Sequence, residues 1–161
     1  MKEKLHHYTS RLVWTGNKGK GTASYTAYDR DHVLSVKDKP EIPGSSDPSF
    51  RGNPQRYNPE ELLVSSLSSC HMLWYLHLCS VNGVVVVDYR DDASGTMAET
   101  ADGGGHFVEV VLKPVVTVTS EGMVEKARSL HHEANKLCFI ANSVKFPVKH
   151  EPEIRVLAPE V

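Results

Sequence analysis

Between Leu62 and Val81 the chain runs for twenty residues without one Asp, Glu, Lys or Arg. That length alone permits a membrane span. The stretch also carries five serines (Ser65, Ser66, Ser68, Ser69, Ser80) and two histidines (His71, His77). These favour a buried helix in a soluble core, and no contact with a membrane is expected. A helix with almost no polar face needs neighbours on every side. In a chain of 161 residues that points to burial shared with a second subunit.

The start of this helix is well signed. Asn58 can cap, Pro59 suits the first helical position, and Glu61 sits three residues after the cap. Leu63, Leu67, Cys70, Trp74, His77 and Val81 follow at alternating steps of four and three, and Gly83 stops the helix. Before it, strands are expected over 5–14 and 22–29, linked by the glycine-rich turn 16–21. A short third strand is expected over His32–Val36. The breaker-rich stretch Lys39–Pro59 reads as a long loop. After it come a strand over Val84–Tyr89 and one over Phe107–Thr119, where Val108, Val110, Leu112, Val116 and Val118 share a face. Asp102–Gly105 is a turn. A second helix over Glu121–Leu137 has Met123, Ala127, Leu130, Ala134 and Leu137 on its core stripe, and a last strand lies between Pro147 and Val156. This order is an α+β pattern in one domain, 1–161.

The net charge of −2 offers no electrostatic footprint for nucleic acid. The N-terminal Met1–His7 has no apolar core, so it is not a secretory signal, and a reducing cytoplasm is the expected compartment. There, three cysteines do not make a disulfide scaffold. Cys70 lies mid-helix on the apolar stripe. Cys79, nine residues on, falls on the opposite face. Cys138 ends the second helix, on its core stripe. Inert buried cysteine is common, and a reactive Cys70 needs a cation from elsewhere, because mid-helix it is far from its own helix N-terminus. Nine histidines raise the question of metal. No Cys-x-x-Cys or His-Glu-x-x-His pattern supports a site, and neither metal nor cofactor is expected. Trp74, Tyr75, Phe139 and Phe146 read as core, with the lining of a ligand pocket by some of them as the alternative.

Asn58-Pro59-Glu60-Glu61-Leu62-Leu63 followed by Ser68-Ser69-Cys70 resembles the first signature of the osmotically inducible protein C (OsmC) and organic hydroperoxide resistance family. Cys138, before Phe139-Ile140-Ala141-Asn142-Ser143, is similar to the second, with Phe139 where members often carry proline. The resemblance implies an OsmC-like fold, with antiparallel sheets around two long central helices in an intertwined homodimer. It also implies a thiol peroxidase acting on organic hydroperoxides. In that chemistry the residue matching Cys70 becomes a sulfenic acid, and the residue matching Cys138 condenses with it to a disulfide. An external dithiol then resets the pair.

The family also holds its thiolate with an arginine–glutamate pair, and Glu60 matches the glutamate. Ten residues of helix separate Glu60 from Cys70, about 15 Å, so a partner subunit is the better source of that carboxylate. Glu61 is the better capping residue. Arg51, Arg56 and Arg30 are the candidates for the arginine, and Arg51 is the first choice because OsmC-type members carry theirs in this loop. Arginine keeps its charge and can fork between carboxylate and thiolate. The alternative is a protein of the same fold that binds a small apolar ligand with little or no peroxidase activity.

Overall fold

A computed structural model describes residues 1–159. The chain divides into two compact units, Met1–Leu62 and Leu63–Val161.

The first unit is built on a three-stranded antiparallel sheet. Its strands are β1 (Arg11–Trp14), β2 (His32–Ser35) and β3 (Ile42–Gly44), with Leu12 opposite Leu34 and Leu34 opposite Ile42. The expected strand over 22–29 does not form; only a single bridge joins Asn17 to Tyr28. Tyr25 and Tyr28 are three residues apart, so both cannot face one side of a strand. Instead Arg30 gathers them. Its guanidinium donates to the carbonyls of Tyr25 and Tyr28, both at 2.7 Å, and lies 4.4 and 4.1 Å from their ring centroids. Gly16 closes the base of this loop, where a Cβ would stand 1.9 Å from the Asp29 carbonyl oxygen. β3 lies inside the stretch read as loop. Pro43 hid it, since a strand that takes proline must be short or at an edge.

The first helix, α1 (Pro59–Val81), starts as its sequence indicates. Glu61 N–H donates to Asn58 Oδ1 at 2.8 Å, and Asn58 N–H donates to Glu61 Oε2 at 3.1 Å, a reciprocal capping box. It ends at Gly83, whose φ of 71° suits glycine.

The second unit holds two three-stranded sheets. One has the order β4 (Val86–Asp91), β7 (Pro114–Val118), β9 (Glu153–Val156); the other β5 (Ser94–Glu99), β6 (Gly105–Leu112), β8 (Val148–His150). Pairings β4–β7 and β5–β6 are antiparallel, like the sheets that the resemblance implies. β6–β8 and β7–β9 are parallel additions. The long strand expected over Phe107–Thr119 breaks at Lys113 and passes from one sheet to the other. There the Lys113 N–H donates to Asp91 Oδ1 at 2.7 Å, and Pro114 has no N–H to continue the ladder. The strand expected over 147–156 breaks likewise beside Pro152. β5, Ser-Gly-Thr-Met-Ala-Glu, has no apolar alternation and was not foreseen.

Helix α2 (Val124–Leu137) follows a short 3-10 turn over Glu121–Met123. Ala127, Leu130, His131 and Ala134 are its buried residues. The core has two parts. Tyr75, Cys79, Val84, Val116, Val118, Ala127, Leu130 and Ala134 form the larger; Leu67, Val110 and Leu112 form the smaller. Val108, expected to share their face, is exposed.

Candidate functional site

The buried stripe of α1 is Leu67, His71, Tyr75 and Cys79, a run at intervals of four. This corrects the stripe expected from the alternating spacing. Of that stripe only Leu67 is buried; Cys70 and Trp74 are half-buried, and His77 and Val81 are exposed. Cys70 therefore sits on the flank of the helix rather than in its core contact, within reach of a small oxidant.

Cys138 stands where α2 ends. Its backbone leaves the helix with ψ of 112°, and a 3-10 turn over Ala141–Ser143 follows. Four bonds hold this exit. Ala141 N–H donates to Cys138 Sγ at 3.4 Å and Asn142 N–H to the Cys138 carbonyl at 3.0 Å. The Asn142 amide donates to the Lys136 carbonyl at 2.9 Å, and the Ser143 hydroxyl to the Phe139 carbonyl at 2.7 Å. Of these, the bond to the Lys136 carbonyl satisfies a group that a helix end leaves open.

The two cysteines meet. The thiols of Cys70 and Cys138 are neighbours, and both are unbridged. Burial, and then the nearness of Cys70, push the Cys138 thiol up to about 11. Cys138 is thus a protonated thiol at neutral pH, and it is fully buried. Cys70 is the more accessible of the pair. Cys79, the third cysteine, lies in the larger core cluster, where burial pushes its thiol up.

The remaining expected residues lie in the first unit. Arg51 closes the 3-10 turn Pro48–Phe50 in the left-handed region, with φ of 63°, and its guanidinium lies 6.0 Å from the Tyr25 ring centroid. Among the described residues it makes no ion pair or side-chain hydrogen bond. The other two arginines are occupied. Arg30 is spent on the tyrosine carbonyls described above. Arg56 pairs with Asp31 at 3.2 Å and donates to the His32 carbonyl at 3.0 Å. Glu60, half-buried in the first turn of α1, forms no ion pair with Arg51 within the described chain.

One pair escaped the sequence reading. His71 and His131 are both fully buried, and His71 Nε2 lies 3.0 Å from His131 Nδ1. One imidazole must donate and the other accept, so the two cannot both be protonated. Burial first, then the nearby His150, pushes His71 down to about 4. Burial, then His71, His150 and Arg128, pushes His131 down to about 3. The Tyr75 ring stacks on His131 with centroids 3.8 Å apart, and its hydroxyl donates to the Ala127 carbonyl at 2.9 Å. These contacts tie α1 to α2. The interval Leu67–His71–Tyr75–Cys79 was the signal for it. Among the described residues no three His, Cys, Asp or Glu side chains are arranged to hold a metal ion.

Of the four aromatic side chains read as core, only Tyr75 is fully buried. Trp74 and Phe146 are half-buried. Phe139 is 69% exposed, and its ring stands edge-on to Trp74. Leu73, Trp74 and His77 line an open cleft of about 300 Å³ on the same flank of α1 as Cys70.

The family described as OsmC-like protein matches residues 52–153. Among solved structures, an OsmC-like protein of unknown function from Vibrio cholerae is 29% identical. It covers 92% of this chain and 99% of its own, with a TM-score of 0.81. An organic hydroperoxide resistance protein from Elizabethkingia anophelis shares the fold at 17% identity, 96% and 100% coverage and a TM-score of 0.67. One from Legionella pneumophila does so at 14% identity, 96% and 100% coverage and 0.65. No curated protein matches the chain significantly.

Proposed function

The chain belongs to the OsmC-like protein family, and on that premise we propose that it is a thiol peroxidase that reduces organic hydroperoxides. The observation that carries this reading is the Cys70–Cys138 thiol pair, one member accessible and the other buried and protonated. The Cys70 thiolate attacks the terminal oxygen of the O–O bond. The alcohol leaves as alkoxide and takes up a proton, and Cys70 becomes a sulfenic acid. The sulfur of Cys138 then attacks the sulfenic sulfur. Its proton and the sulfenic hydroxyl leave as water, and a disulfide forms. An external dithiol reduces the disulfide and restores both thiols.

Arg51 is the proposed cation that favours the Cys70 thiolate, and Glu60 the carboxylate that orients it. That Arg51, alone of the three candidates, makes no ion pair or side-chain hydrogen bond among the described residues supports the choice. A cytoplasmic homodimer is part of the same reading. Leu73 and Val81 on α1 are 61% and 64% exposed in one chain, which supports a second copy covering them.

The test is a thiol count after adding an alkyl hydroperoxide to reduced protein. Loss of two thiols per chain, with a Cys70–Cys138 disulfide in the peptide map, is the expected result. The Cys138→Ser variant should consume one equivalent and stall as a sulfenic acid that a selective reagent traps. Retention of all thiols at millimolar hydroperoxide would instead favour the apolar-ligand binder.

A further inference from the structure

The segment that carries Cys138 is held from inside by the hydrogen bonds of the α2 exit. From outside, Phe139 makes the aromatic contact. Phe139 is 69% exposed, yet its ring is not loose in solvent. It stands edge-to-face on Trp74, with centroids 5.5 Å apart and planes at 81°. Trp74 is held in turn edge-on by His77, at 5.9 Å and 80°. Trp74 lies four residues after Cys70, and such pairs share a helix face. Two contacts therefore bridge the same two segments side by side: thiol to thiol between Cys70 and Cys138, and ring to ring between Trp74 and Phe139.

We propose that the Trp74–Phe139 pair is an aromatic brace that holds the thiol of Cys138 against Cys70 for disulfide formation. The inference deepens the peroxidase reading and rests on it for the sulfenic acid step. Phe139 and Trp74 are positioning residues; neither touches the reacting sulfurs in this role. A disulfide needs its Cα atoms within about 4.4–6.8 Å. Any outward excursion of residues 138–140 takes the second thiol out of range. Edge-to-face aromatic pairs contribute modestly but measurably, so removing the ring lowers the effective concentration of the Cys138 thiol by about threefold to tenfold.

Two readouts test this. In Phe139→Ala the rate of the first peroxide step is unchanged, because Cys70 is untouched, while the Cys70 sulfenic acid lives about threefold to tenfold longer. Titration against dithiothreitol shows a disulfide that is easier to reduce by the same factor, about 15–30 mV at 29.6 mV per decade. Phe139→Tyr, which keeps the ring, restores both values, and Trp74→Leu reproduces the loss. The unfolding midpoint of the reduced Phe139→Ala protein stays near that of the unaltered chain, because the side chain is mostly exposed. An unchanged potential in Phe139→Ala overturns the brace, and so does an equal shift in Phe139→Tyr. The dithiothreitol titration involves no hydroperoxide. A protein that forms the disulfide there but reduces no hydroperoxide sinks the peroxidase reading alone.

Discussion

On one side of α1, Leu67, His71, Tyr75 and Cys79 follow at intervals of four and are buried against α2 and the strands of the second unit. On another side, Cys70 and Trp74 are half-buried and Leu73 and Val81 are exposed. Apolar composition is similar on both. The first side holds polar groups that bond inward, the His71–His131 pair and the Tyr75 hydroxyl on Ala127, although His71 Nδ1 and His131 Nε2 stay buried without a partner. The second meets the α2 exit through a thiol and an aromatic ring, with Trp74 also packed on the edge of the larger core. One helix thus separates a buried packing side from an accessible thiol by about a third of a turn. A cysteine on the first side is inert packing, and a cysteine on the second is accessible.

The largest effect should come from Cys70→Ser. Peroxidase turnover falls to background while the urea midpoint barely moves, since the residue lies off the buried stripe. Turnover at the rate of the unaltered chain would end the division of labour. Leu67→Ala attacks the other side. Deleting a fully buried leucine costs about 2–5 kcal/mol, to be read as a drop in the urea midpoint. Hydroperoxide consumption by the folded fraction should continue.

Acid should act on the buried side too. His71 and His131 titrate near 6.5 in an unfolded chain and are held down to about 4 and about 3 when folded. Between these values the unfolded chain binds more protons, so stability rises with pH across the window. It is fully present above pH 6.5 and is lost progressively as pH falls toward 4, by up to about 1.4 kcal/mol per pH unit for each group. His150, also held down by burial and then by His132, adds in the same direction. Urea melts at pH 7.5 and pH 5 measure the loss; equal midpoints would show that the pair is not a buried neutral one. The smallest effect belongs to Cys79→Ala. It should cost about 1 kcal/mol for the lost packing and leave turnover within about twofold. A severe loss of activity would place chemistry on the wrong side of the helix.

Arg51→Ala sharpens the accessible side. It should shift the rate of Cys70 alkylation by iodoacetamide downward and slow peroxide attack. A shift in Arg56→Ala or Arg30→Ala instead would reassign the cation, although both side chains are committed to local partners.

Local chemistry was legible in the chain. Asn58, Pro59 and Glu61 specify the start of α1 through groups three residues apart, and Gly83 specifies its end; no distant partner is needed for either. Ala127, Leu130 and Ala134 mark the buried face of α2 by their period. The motif around Cys70, with a second cysteine at the end of α2, was enough to point to the family. Contacts between distant segments decided the rest. An uncharged helix has weak amphipathic contrast, so its period could not say which side is buried, and α2 chose His71 and Tyr75 over Trp74 and His77. Phe107–Thr119 keeps one apolar face past Pro114, and Asp91, reaching the Lys113 N–H from another strand, helps that proline turn it into two. Arg30 folds Tyr25 and Tyr28 out of a strand by taking their carbonyls. Cys70 and Cys138 are 68 residues apart, and spacing along the chain says nothing about such a distance. Their meeting depends on α1 and α2 packing through the histidine pair, a contact that exists only once both helices are in place.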